Sequence, residues 1–265
     1  MRPLIKAEFR RLLATRMWAG LLIAGALLGG GLVGAMTLVG PENFDPPMPG
    51  LDTEAGIRSI LGILGYTALV PAAIGTVAVT SEYRHRTAAV TFLFAPRRWQ
   101  VLAAKLITYG VAGLAYGIVL AGSAAIAFFG VAAARGISLG LPAGTVLALL
   151  ARIGVAMVAY LLIGVGMGAL IRNQVVALSI VVGYLYMGET LLMLIPGVNL
   201  LYPVLPGGAT ASLTDFTYLA DAMSQQLATA PVQLLPPAAG ALLLLAYALT
   251  ASVLAVIVPM RRDLT

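Results

Sequence analysis

Apolar runs long enough to cross a bilayer dominate this chain, and one charged interruption divides them. A span needs about 20 predominantly apolar residues. Such runs flank Ser81 to Lys105, SEYRHRTAAVTFLFAPRRWQVLAAK. That stretch carries Arg84, Arg86, Arg97, Arg98 and Lys105 against a single acid, Glu82. It must leave the membrane, stand in water and return. Of the 265 residues 60% are hydrophobic and only 10% are charged, whereas a soluble domain carries about 25% charged residues. A soluble core has no use for so much apolar surface. The fold class is therefore an all-α polytopic membrane protein, with 1-265 forming a single transmembrane domain.

Hydropathy predicts six spans: about Met17 to Val39, Glu54 to Val79, Trp99 to Ala133, Ala143 to Ile171, Val175 to Leu194 and Ala238 to Val258. The first is longer than the apolar core of a signal peptide and no cleavage site follows, so it is expected to be retained. Asp52 or Thr53 suits the N-cap of the second span, with Glu54 at the positive end of its dipole. Lys105, entering the third, is expected to snorkel to the interface. Residues 2-16 predict an interfacial helix, with Ile5, Phe9, Leu12 and Leu13 on one face and Lys6, Arg10 and Arg11 on the other. Glycines spaced by four, Gly25/Gly29, Gly30/Gly34, Gly113/Gly117 and Gly164/Gly168, suit close helix approach within one subunit.

Orientation follows from the basic residues. Thirteen of the sixteen Lys and Arg fall on the side that holds both termini and the 81-98 loop, which makes that side cytoplasmic. The protein is then a multi-pass cell-membrane protein with cytoplasmic N- and C-termini. The 197-237 segment lies outside. In it Ser212 and Asp215 read as a capping box, followed by an amphipathic helix, Asp215 to Ala228, whose stripe is Phe216, Leu219, Ala220, Met223 and Leu227.

Several function classes are disfavoured. The net charge of +6 gathers at juxtamembrane positions, where its partner is anionic membrane lipid rather than nucleic acid. There is no cysteine, which removes disulfides and thiolate chemistry. No Gly-x-x-x-x-Gly-Lys-Ser/Thr phosphate loop is present, so the chain does not hydrolyse ATP by itself. The single histidine, His85, falls in the loop, and no aspartate falls within a span, so no intramembrane protease site assembles. No cluster of metal-ligating residues is evident. The sequence thus offers no catalytic and no metal-binding residues.

Two ionisable residues fall within spans, Arg152 and Glu189. A charge there costs about 2.5–3.5 kcal/mol on insertion scales and usually has a role. The two lie on antiparallel neighbouring spans, roughly 8–14 Å below the outer boundary at 1.5 Å per residue. They are expected to form an intramembrane charge pair, structural or lining a transport path. The alternatives are an Arg152 that snorkels outward, a protonated Glu189, or a Glu189 facing a dimer seam.

Glu82, then Arg86-Thr87, then Pro96-Arg97-Arg98, then Lys105 resembles the first cytoplasmic loop of ABC transporter permeases of the type-2 class. The six spans, the N-terminal interfacial helix and the external helical segment between spans 5 and 6 are similar to that family too. One departure is Arg86, where the family commonly has glycine. The resemblance implies a coupling helix between spans 2 and 3 that docks on a separate ABC ATPase subunit. It also implies a second permease chain, the same or a related one. ATP and magnesium would sit on the ATPase, and this chain would hold no cofactor. The residues carried over to ATPase coupling are Glu82, Arg86, Thr87, Leu93, Pro96, Arg97 and Lys105. Ala89, Val90, Leu93 and Phe94 form an apolar patch suited to a groove, with Phe92 on the opposite side. The expected function is the permease of an ATP-driven exporter of a small molecule or lipid. The rivals are an ATPase-independent channel or secondary transporter, which favours polar, broken helices at mid-membrane, and a non-transporting scaffold that recruits an ATPase.

Overall fold

A chain this apolar satisfies its backbone in lipid by closing hydrogen bonds within helices. The computed structural model describes residues 1–44, 47–85, 87, 91, 97–195, 197–218, 221, 224 and 232–257, and these contain helices and no strand. Five helices are long and apolar enough to cross a membrane. They are α2 (Met17–Val39), α3 (Glu54–Arg84), α4 (Arg98–Ala134), α5 (Ala143–Leu170) and α9 (Pro237–Ile257), and they follow α1 (Arg2–Ala14). Between α5 and α9 come α6 (Gln174–Gly183), a π stretch Tyr184–Gly188, α7 (Glu189–Met193), a 3₁₀ stretch Asn199–Val204 and α8 (Pro206–Thr214). The protein is thus an all-α, multi-pass membrane protein.

Local chemistry accounts for the helix ends and breaks. The Thr53 hydroxyl accepts from the Gly56 N–H at 3.1 Å and caps α3, as the sequence predicts. Within α3, Ile63–Ala68 tightens to 3₁₀ geometry just before Pro71. A proline inside a helix removes one N–H and crowds the preceding turn, which this rewinding absorbs. Helix α3 also continues past the expected Val79 to Arg84, because Glu82 is buried against partners described below. Asn173 caps α6, its Oδ1 accepting from the N–H groups of Val175 and Val176 at 3.0 and 3.2 Å.

Helix α5 is the centre of the bundle, packed against α3, α4 and α9. Lipid tails are as apolar as leucine, so these contacts depend on close fit rather than on escape from water. Small residues supply the fit. A Cβ on Gly117 of α4 would stand 2.7 Å from the Gly154 carbonyl oxygen of α5. One on Gly168 of α5 would stand 2.6 Å from the Thr76 carbonyl oxygen of α3. The glycines at spacing four therefore serve packing inside one chain, as expected. Tyr116, Phe128, Leu120 and Ile153 fill the fully buried layer between these approaches.

The external segment departs from expectation. Ser212 is not an N-cap: it lies inside α8 and bonds the Gly208 carbonyl at 2.7 Å. Asp215 ends that helix in the left-handed region, φ 54°, a conformation Asp tolerates better than most residues. The helix near here is therefore 206–214, and most of the predicted 215–228 helix lies outside the described residues. Every residue of α8 except Gly207 is buried, against α5, α9 and the 3₁₀ turn of α3. A short helix buried all round shows no amphipathic stripe, so hydropathy periodicity could not reveal it.

Candidate functional site

The end of the bundle where α1, the close of α3 and the start of α4 meet is its basic end. Helix α1 presents Leu12 and Glu8 inward, with Ile5 and Phe9 half-buried. Leu13, expected on the apolar face, is 58% exposed. Glu8 was not singled out in the sequence. Its signal was its register: it falls three residues after Ile5 and four before Leu12, an acid on the apolar stripe.

Four charges converge at this end. Lys105 Nζ, on α4, donates to Glu8 Oε1 and Oε2 at 2.9 and 2.8 Å and also to Glu82 at the end of α3. Arg11 donates to Glu82 as well, and its second amino group reaches the Thr87 hydroxyl at 3.3 Å. Thr87 in turn bonds the Glu82 carbonyl at 3.4 Å. Two carboxylates face one ammonium and one guanidinium, so the cluster is neutral. Lys105 is only 3% exposed and Glu82 4%. The expectation that Lys105 snorkels to the interface is therefore corrected: two carboxylates inside the bundle outcompete water for its charge.

Of the residues assigned to ATPase coupling, the structure brings Glu82, Lys105 and Thr87 together with Glu8 and Arg11. Arg97 is set apart. It is exposed, precedes α4 in a non-helical conformation and gives its carbonyl to the Gln100 N–H at 2.8 Å. Arg86, Leu93 and Pro96, with Ala89, Val90, Phe92 and Phe94, lie outside the described residues. His85 is exposed at the end of α3. Nearby, the Arg172 guanidinium lies 5.8 Å from the Tyr83 ring centroid, a cation–π contact that ties the α5–α6 turn to α3.

At the opposite end the expected pair between Arg152 and Glu189 is not formed. Arg152 lies 3.3 Å from Asp215 Oδ2, which also takes the Arg58 guanidinium at 2.8 Å. Arg58 bonds Glu54 one turn earlier at 2.8 Å. Glu189 instead turns to the N-terminus of α8, where both its oxygens accept from the Gly207 N–H at 2.9 and 2.7 Å. Helix α8 has no side-chain cap of its own, and Glu189 supplies one from a distant segment. A carboxylate there satisfies a stranded donor and faces the positive end of the helix dipole. The tie continues through Thr210, whose hydroxyl is 3.0 Å from that of Tyr160 on α5. The sequence places Arg152 and Glu189 at one level, but in the folded chain each takes a different partner.

No protein-family model matches the chain, and comparison with curated proteins finds no match.

Proposed function

We propose that this chain is the membrane-spanning permease subunit of an ATP-driven exporter of the ABC type-2 class. The observation that carries the reading is the charge cluster of Glu8, Arg11, Glu82 and Lys105. Glu82 and Lys105 stand at the two roots of the basic 81-98 loop, and the cluster locks both roots to the N-terminal helix. A push on that loop is thereby delivered to α1, α3 and α4 together. Such a joint suits a segment that receives the stroke of a separate ATPase. A loop serving only to connect two spans has no need of it.

On this reading the 174–193 region is the fifth of six spans. Its 10-, 5- and 5-residue helical stretches run on without a break, or about 30 Å at 1.5 Å per residue, enough to cross the hydrocarbon core. The excess of Lys and Arg in the sequence on that side supports a cytoplasmic location for the basic end and both termini. Two permease chains work with two ATPase chains, which carry ATP and magnesium, and the cargo is a small molecule or lipid.

The test is reconstitution in nanodiscs with a candidate ATPase. Arg97 is the clean probe, since it is exposed and outside the cluster. Arg97→Glu should lower the ATP turnover that the permease stimulates and leave its thermal stability unchanged. Turnover that ignores both the permease and this substitution, or loop crosslinks that reach only lipid, would count against the proposal.

A further inference from the structure

Between α3, α5, the 174–193 stretch and α8 lies a cavity of about 70 Å³. Its lining residues include Glu189, Tyr66, Tyr160, Tyr202 and Phe216, with Gly65 on the α3 side. Among the described residues no Lys, Arg or His lines it. The donor on Glu189 is a neutral one, the N–H group of Gly207. The nearby guanidinium groups of Arg58 and Arg152 are engaged by Asp215. Glu189 is thus a carboxylate 5% exposed with no ion-pair partner among the described residues, facing an aromatic enclosure.

We propose that this cavity binds the ammonium group of an organic cation, with Glu189 as counter-ion and the four aromatic rings as its wall. The faces of aromatic rings attract cations, more strongly when water is excluded, and a charge-assisted hydrogen bond to carboxylate adds to that attraction. A calcium ion does not suit the site, because it takes six to eight oxygen ligands and the wall offers a single carboxylate. The volume fits a head group with its first carbons, well short of the ~300 Å³ at which pockets for drug-sized ligands begin. Tyr66 is 46% exposed and Thr190 is exposed, so the cavity opens on the bundle surface between α3 and the 174–193 stretch. An alkyl tail leaves there into lipid. The ammonium comes from a free amphiphilic amine or from a phosphatidylethanolamine head group. Binding here requires neither ATP nor a partner chain.

The experiment uses the full chain in phosphatidylglycerol nanodiscs, with binding to empty discs subtracted. The probes are labelled hexylammonium, hexanol and hexanoate, equal in length and different in charge. Hexylammonium should bind about thirtyfold more tightly than hexanol, the ratio expected of a desolvated cation–π contact, and hexanoate should not bind. Glu189→Gln keeps an acceptor for Gly207 and should reduce hexylammonium to the level of hexanol. A Cβ on Gly65 would meet only Thr210 Cγ2, at 3.4 Å, so Gly65→Leu grows into the cavity and should weaken hexylammonium and hexanol together. Adding phosphatidylethanolamine separates the two sources: displacement of the probe identifies the lipid head group, and retention identifies a free amine. Equal binding of hexylammonium and hexanol to the unaltered protein overturns the proposal, whether or not the variants fold. So does full hexylammonium affinity in a folded Glu189→Gln or Gly65→Leu protein.

Discussion

Two ion clusters fasten opposite ends of this bundle, and burial sets them apart. At the basic end the side chains of Lys105, Glu82 and Glu8 are 4%, 5% and 9% exposed. At the other end those of Arg58, Asp215 and Arg152 are 25%, 42% and 40% exposed. A buried set of charges is committed, because removing one partner strands another in low dielectric. A half-exposed set is forgiving, since water and salt replace a lost partner. The basic end is thus built as a rigid joint. The other end is an adjustable tie on the end of α8.

The largest effect should come from splitting the buried cluster. Lys105→Met leaves Glu8 and Glu82 without their ammonium and should cost about 3–5 kcal/mol, read as a lowered unfolding temperature in detergent. The triple change Glu8→Gln, Glu82→Gln, Lys105→Met removes the buried stranded charges, leaves only the part-exposed Arg11 to water, and should recover most of that loss. If the triple variant is no better than the single one, the joint is not held by mutual charge compensation.

Next comes the cap on α8. Glu189→Leu leaves the half-buried Gly207 N–H without an acceptor, at a cost of about 1 kcal/mol, whereas Glu189→Gln should retain most of the stability. Hydrogen exchange at α8 reads this directly, with faster exchange expected in the Leu variant. Equal exchange in both variants would show that the helix does not depend on this carboxylate.

The exposed tie should respond least. Arg152→Gln should cost less than about 1 kcal/mol, because Asp215 keeps Arg58. Asp215→Asn removes both ion pairs yet suits the left-handed backbone, so its cost should also stay near 1 kcal/mol. Raising salt from 0.05 to ~0.5 M should shrink both effects through screening and leave the Lys105→Met loss nearly unchanged. A salt response of equal size at the two ends would erase the distinction between them.

Hydropathy located the five membrane-length helices to within a few residues, because lipid imposes both length and composition on a span. Sequence reading also narrowed the cap of α3 to Asp52 or Thr53, of which the structure uses Thr53, a local interaction between neighbours in sequence. It missed Glu8 as an anchor, because the interfacial reading weighed the charge of α1 as a whole rather than the register of each residue. It missed α8 because a helix buried on every side carries no periodic signal. The Glu82 and Lys105 of the loop motif were legible as letters. That they turn inward and grip Glu8 was not.

The sequence by itself determined that the chain lives in lipid, where its helices run and where its basic residues gather. Each of these follows from transfer energy summed along consecutive residues, which needs no knowledge of neighbours. Only the tertiary structure decided which charges meet. A residue's number fixes its depth along a helix axis, but partner choice depends also on rotation about that axis and on which helices lie alongside. That is why Arg152 and Glu189, which the sequence places at like depth, bond Asp215 and the Gly207 N–H instead of each other.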